Sequence, residues 1–225
     1  MSIFVDSANV TEIEQALHRG FAAGITTNPS IMSKEKGADF RQQIRGIIKL
    51  VESYHLVIPL SVEVSTTNPK EMVKQATELA SEFHGYSGLN IKVPIGWDEL
   101  AVIHELKSLG LNVNCTCCMS LNQALMGAAA GADFVSLFYN RIKDIGYDAR
   151  VVVDNVRRVF TERSVRSRII VGSIRHIVDI NEAFLAGADI VTVPPKFFMH
   201  MVSHPKTDEA VKQFLSDFSG WTSRG

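Results

Sequence analysis

Residues 89–117, LNIKVPIGWDELAVIHELKSLGLNVNCTC, decide the reading of the whole chain. Leu89 to Val93 is a short β-type run closed by Pro94. Trp97 to Ser108 carries apolar residues at three- and four-residue spacing, as one face of a helix does. Asn112 to Cys117 is a second β-type run. A strand, a helix and a second strand of this length make one βα unit of a parallel sheet.

Working outward, the same alternation recurs eight times. The strands are expected at Ile3 to Ser7, Gly24 to Thr27, Pro59 to Val64, Leu89 to Val93, Asn112 to Cys117, Phe134 to Phe138, Arg168 to Ile174 and Ile190 to Val193. Segments such as Pro69 to Glu82 and Ser120 to Ala130 suit the intervening helices, one after each strand. Eight units in 225 residues predict a (β/α)8 barrel forming a single domain over residues 1–225. From Pro205 onward Ala210, Val211, Phe214, Leu215 and Phe218 predict an extra C-terminal helix. Its apolar face, with Trp221, exceeds what a lone barrel needs and is expected to pack on a neighbouring subunit.

Composition narrows the function classes. Hydrophobic content of 46% and charged content of 21% suit a globular chain with a sizeable core, and a net charge of −1 creates no long-range field for nucleic acid or an anionic membrane. Any anion must be held by a local cluster. No apolar run approaches the roughly 20 residues that span a bilayer. Met1 leads straight into the apolar Ile3 to Val5, and an odd count of three Cys argues against a disulfide framework, so a reducing cytoplasm is the expected location.

Several strands carry polar residues where a purely structural barrel strand would read Val, Ile or Leu: Asp6, Glu63, Lys92, Asn114 with Thr116, Ser136, and Ser173 with Arg175. They fall at or near the C-terminal ends of the strands, where barrel active sites lie, and should converge. Lys92 is centred in an apolar strand. A lysine there could snorkel to solvent; buried, it loses stabilisation of its charged form and becomes a nucleophile able to form a Schiff base with a ketone. Asp6 and Glu63 supply two carboxylates on different strands for acid and base work. The structural alternative for Asp6, capping the next helix, is open to Ser7 and Asn9 instead; for Glu63 it is an ion pair inside the barrel. Arg141, Ser173 and Arg175 suit a phosphate clamp, whereas Arg157, Arg158, Arg163, Arg166 and Arg168 read as solvated surface. In the run Cys115-Thr116-Cys117-Cys118, strand alternation puts Thr116, Asn114 and Cys118 on one face and Cys115 and Cys117 outward against helices. No second cluster completes a metal site, and the seven histidines lack metal-binding spacing, so no metal or organic cofactor is expected.

These residues stand in motifs that together resemble the transaldolase family, in particular its short-chain branch that also contains fructose-6-phosphate aldolases. The motifs are Phe4-Val5-Asp6-Ser7-Ala8, Gly24-Ile25-Thr26-Thr27-Asn28-Pro29-Ser30, Ile91-Lys92-Val93-Pro94, Asn140-Arg141-Ile142, Gly172-Ser173-Ile174-Arg175, and Ala186-Gly187-Ala188-Asp189 with Thr192-Val193-Pro194-Pro195. The resemblance runs nearly end to end. It implies Lys92 as the Schiff-base lysine, Asp6 as the base that takes the C4 hydroxyl proton, and Glu63 with Thr116 as the holders of a relay water. It implies Asn28, Asn114 and Ser136 as ligands of a three-carbon ketone fragment, with Thr27 and Phe138 in the same substrate site, and Arg141, Ser173 and Arg175 as the phosphate site. The aldolase subgroup has Gln and Tyr where this chain has Glu63 and Phe138, so the resemblance favours transfer of dihydroxyacetone from sedoheptulose 7-phosphate or fructose 6-phosphate to an aldose phosphate. That activity belongs to the pentose phosphate pathway. An aldolase releasing free dihydroxyacetone is the alternative, and a non-catalytic sugar-phosphate-binding barrel is a third reading. The branch it resembles forms pentamers and decamers, so a homo-oligomer is expected.

Overall fold

The computed structural model describes residues 1–35, 37 and 39–222. Eight parallel strands close into a barrel in chain order: β1 (Ser2–Asp6), β2 (Ala22–Thr26), β3 (Leu60–Glu63), β4 (Leu89–Pro94), β5 (Asn112–Cys118), β6 (Phe134–Phe138), β7 (Arg168–Gly172) and β8 (Ile190–Val193). The helices of this unit are α1 (Val10–His18), α2 (Pro29–Met32), α3 (Phe40–Ser53), α4 (Pro69–Glu82), α5 (Trp97–Ser108), α6 (Leu121–Ala129), α7 (Tyr139–Asp144), α8 (Ala149–Glu162) and α9 (Ile177–Leu185). This is the expected (β/α)8 barrel, with one difference. After β2 and β6 a short helix, α2 or α7, precedes the long one, so the rule of one helix per strand fails at those two positions.

The helices start where side-chain caps allow. Asn9, Asp39, Asn68, Ser120 and Asp148 each accept backbone N–H groups of the first turn that follows, relieving donors that have no partner within the helix. Apolar stripes then fix the buried faces: Ile44, Ile47, Ile48 and Val51 on α3, and Val153, Val156 and Phe160 on α8. Two αβ junctions repeat one device. Gly131 (φ +103°) and Gly187 (φ +94°) take the left-handed turn after a helix, a conformation that a Cβ would strain. Two residues later an aspartate receives the N–H of an adjacent strand, Val113 on Asp133 at 2.7 Å and Ile169 on Asp189 at 2.8 Å. Each aspartate also pairs with a cation from a neighbouring helix, Lys107 at 2.7 Å and Arg157 at 2.5 Å. Arg157 is therefore a half-buried strut that also donates to the Gly187 carbonyl, and the expectation that it is merely solvated is corrected.

Alternation along the strands divides the barrel interior into layers. Phe4, Phe134, Ile170 and Ile190 form a buried apolar plug, with Phe4 and Phe134 edge to face at 6.5 Å between ring centroids. Two residues further along the same strands stand Asp6, Ser136, Gly172 and Thr192, so the plug carries a polar layer at the C-terminal mouth.

Residues Lys196–Gly225 cluster as a second compact unit, holding α10 (Phe198–Val202) and the expected C-terminal helix, α11 (Pro205–Thr222). No described residue of α11 is buried, and Phe214, Leu215, Phe218 and Trp221 are all more than half exposed. No helix among the described residues is long and apolar enough to cross a membrane.

Candidate active site

A cavity of about 570 Å³ opens at the C-terminal mouth of the barrel, large enough for a small ligand. Of the expected site residues, Asp6, Asn28, Glu63, Lys92, Thr116, Ser136, Phe138, Arg141 and Ser173 line it. They arrive from different strand ends, brought together by closure of the barrel.

Lys92 is buried at 4% exposure and does not snorkel. Its Nζ lies 2.8 Å from Glu63 Oε2 and donates at 2.8 Å to the Thr27 carbonyl, so both the charge and an N–H are met inside the protein. β3 and β4 pair with Glu63 opposite Lys92, which puts the two side chains side by side. The Lys92–Glu63 ion pair is thus a direct product of strand register.

Asp6 is not the cap of α1. Asn9 accepts the Glu12 N–H at 3.1 Å, and the Ser7 hydroxyl donates to the Glu12 carboxylate at 2.5 Å, which leaves Asp6 to the cavity. Its Oδ1 accepts from the Thr26 hydroxyl at 2.8 Å. Although Asp6 keeps some accessible surface in the cleft, burial among protein atoms pushes its carboxyl above the usual value. The Thr26 bond and the positive charges of Lys92 and Lys34 oppose that rise without cancelling it.

Ser136 donates to Asn114 Oδ1 at 2.7 Å, and Asn114 Nδ2 donates to the buried Ser61 hydroxyl at 3.1 Å. Asn114 is fully buried and lies behind the cavity wall, where it orients Ser136. Thr27 also stands outside the lining. Its carbonyl serves Lys92, and its hydroxyl donates to the Ser61 carbonyl at 2.9 Å. Asn28 caps α2 through Oδ1, accepting from Ile31 N–H at 3.0 Å. The Thr116 hydroxyl is buried at the cavity wall beside the Cys117 thiol, with no partner in hydrogen-bond geometry among the described residues, and is placed to bond to what enters the cavity.

Besides Asn114 and Thr27, which stand off the cavity lining, two placements differ from expectation. Cys117 lines the cavity because its backbone takes φ +60° at a register shift between β5 and β6, which breaks the alternation that would have turned it outward. The same break carries Cys118 off the Thr116 face, and its Sγ lies 3.9 Å from that of Cys115 in the buried layer. Cys115 packs as expected, against Gly127 of α6. Burial, then the Glu63 charge, raises the Cys117 thiol above its usual pKa. The other departure is Arg175, whose guanidinium is outside the cavity lining and forms a two-pronged pair with Asp144 at 2.8 and 2.6 Å. Strand β7 ends at Gly172 rather than Ile174 because Ser173 takes φ +59°. Arg141 lies in the lining, its guanidinium carbon 6.0 Å from the Phe138 ring centre.

Thr26, Thr192, Ser30 and Met119 also line the cavity and were not singled out from sequence. Thr26 and Thr192 were findable, because each stands one strand alternation beyond an interior residue; Met119 follows the irregular end of β5 and carried no such signal.

A parallel eight-stranded barrel with a buried lysine and two carboxylates at its C-terminal mouth is the architecture of a barrel enzyme acting on a small polar substrate. Sequence comparison makes the assignment particular. Residues 3–223 match the family described as Transaldolase/Fructose-6-phosphate aldolase, and the chain belongs to that family. It is 40% identical to a protein of Moorella thermoacetica named "Probable transaldolase", over 97% of both chains. Relatives of the same name in Carboxydothermus hydrogenoformans (97% of this chain, 98% of the relative) and an Exiguobacterium species (100% of each) are both 37% identical. The protein is a transaldolase-type enzyme.

Proposed function

We propose that the enzyme transfers a dihydroxyacetone unit from a ketose phosphate, fructose 6-phosphate or sedoheptulose 7-phosphate, to an aldose phosphate through a Schiff base on Lys92. The observation that carries this reading is the lysine itself: buried, facing a cavity of substrate size, with Glu63 at 2.8 Å as the nearest acceptor for a proton leaving its ammonium group. The neutral amine attacks the ketose C2 carbonyl, and loss of water gives the imine. Asp6, made more basic by burial, takes the C4 hydroxyl proton while the C3–C4 bond breaks. The aldose phosphate leaves, and the electron pair stays on the three-carbon fragment as an enamine. Attack of that enamine on the aldehyde of an acceptor, with the proton returned from Asp6, rebuilds a ketose, and water then frees it from Lys92. The Thr116 hydroxyl and Glu63 suit the binding of the water exchanged in imine formation and hydrolysis. Ser136 and Asn28 contact the three-carbon fragment, with Asn114 holding Ser136. Arg141, Ser173 and Arg175 bind phosphate, which for Arg175 requires leaving Asp144.

Transfer is favoured over release by the cavity wall, because none of the described residues that line it is a tyrosine. Phe138 offers no proton. The neighbouring Tyr139 is buried and donates to Glu182 at 2.7 Å, away from the site. An enamine without a phenolic donor survives until an acceptor arrives. The test is turnover of fructose 6-phosphate with and without an acceptor aldose phosphate. Turnover that depends on the acceptor is expected; equal release of dihydroxyacetone in its absence would make the enzyme an aldolase. The same reading takes the exposed face of α11 as a contact between copies in a homo-oligomer, pentameric or decameric, and three free thiols suit a reducing cytoplasm.

A further inference from the structure

Asp179 is fully buried in the first turn of α9, outside the cavity, and its carboxylate gathers four donors. Its Oδ2 accepts from the backbone N–H groups of Arg175 at 3.1 Å and His176 at 2.8 Å, and from Asn140 Nδ2 at 2.7 Å; Lys143 Nζ stands 3.1 Å from Oδ1. Burial alone would push this carboxyl up. The hydrogen bonds from Asn140, Lys143 and the two backbone N–H groups outweigh it and hold the group below the usual carboxylate value.

The donors explain what the carboxylate does. Asn140 also gives an amide N–H to the Ser173 carbonyl at 2.8 Å, and it immediately precedes Arg141. One buried anion therefore ties together the segments bearing Arg141, Ser173 and Arg175. Ser173 needs such a tie, since φ +59° is a conformation that a serine rarely adopts unsupported. Resting on the sugar-phosphate reading given above, we infer that Asp179, acting through Asn140, is the positioning residue of the phosphate site. It touches no substrate. It fixes the left-handed turn at Ser173 and its spacing from Arg141, so that phosphate meets donors already in place rather than a loop that must be ordered on binding.

The experiment compares Asp179→Ala, Asp179→Asn and Asn140→Ala with the unmodified enzyme. It reads the dissociation constant of inorganic phosphate, KM and kcat with fructose 6-phosphate, and the rate at which borohydride traps dihydroxyacetone on Lys92. Asp179→Ala is expected to weaken phosphate binding and raise the fructose 6-phosphate KM by about tenfold or more, with kcat and dihydroxyacetone trapping changed less than about twofold. Asp179→Asn should restore most of the loss, because its amide oxygen can keep the three donors at the Oδ2 position while the half-exposed Lys143 turns to solvent. If Asp179→Ala does not fold, Asn140→Ala, which leaves the N–H groups of Arg175 and His176 bonded to Asp179, should show the same selective loss. Phosphate binding that is unchanged in the folded variants, or a loss shared equally by dihydroxyacetone trapping, overturns the inference and leaves Asp179 a helix cap. An unmodified enzyme that binds no phosphate overturns the phosphate-site reading, and the inference with it.

Discussion

At the scale of single residues, the proposed chemistry is divided between a lysine whose charge is met inside the protein and a carboxylate whose one hydrogen bond does not offset its burial. Lys92 has Glu63 and the Thr27 carbonyl, whereas Asp6 is held above the usual carboxylate value because burial outweighs its partners. Replacing Asp6 by Asn should lower kcat by about 10²- to 10⁴-fold, the range for loss of a general base, while substrate still forms the imine. The same variant has a stability signature. A carboxyl raised in the folded state favours folding at low pH and opposes it once ionised. Asp6→Asn should therefore melt higher than the parent at neutral pH, with the gain vanishing as the pH falls below the ordinary carboxylate range. Calorimetry across pH checks this, and a lower melting temperature at neutral pH would mean that the pairing of Asp6 with Thr26 and the lysines dominates. Thr26 is a donor that lowers the Asp6 pKa, so Thr26→Val should shift the acid limb of kcat/KM to higher pH. Phe138→Tyr should raise release of free dihydroxyacetone relative to transfer, measured as acceptor-independent turnover, and Glu63→Gln should lower transfer by removing the charged partner of Lys92.

At the scale of elements, strand alternation places the site and a few backbone irregularities finish it. Gly24 on β2 faces the Phe4 ring so closely that a Cβ would fall on it. Gly24→Ala should destabilise the barrel by roughly 1–3 kcal/mol through overpacking of the plug, read by denaturant unfolding. An unchanged midpoint would mean that Phe4 has room to move. The eight strands were legible because apolar alternation and turn residues repeat, and the buried face of a regular strand follows from counting by two. Lys92, Glu63, Asp6 and Ser136 were found that way. Counting by two failed at Cys117 and Cys118, where a left-handed residue shifts the register, and at Ser173, where the same conformation ends β7 early. Sequence gives no warning of a non-glycine residue at positive φ, since its support lies elsewhere: the Asn140–Asp179 contact spans 39 positions. The Arg157–Asp189 strut and the Arg175–Asp144 pair were missed for a related reason, as an arginine's partner is chosen by helix packing and not by its neighbours in sequence.

At the scale of the whole molecule, the chain supplies a barrel and a C-terminal unit whose long helix exposes Phe214, Leu215, Phe218 and Trp221. Apolar area of this kind on a helix with no buried residue suits subunit contact. Light scattering should report an oligomer for the full chain and a smaller species after truncation at Pro205. A monomeric full chain, or an oligomer unaffected by the truncation, would contradict the assembly proposed here. A Schiff base between substrate and Lys92 is captured by borohydride reduction in the presence of fructose 6-phosphate, followed by mass spectrometry of the intact protein and its peptides. The Schiff-base mechanism predicts one reduced three-carbon unit per chain, on Lys92, and none in Lys92→Met. No adduct, or an adduct on any other lysine, would contradict it.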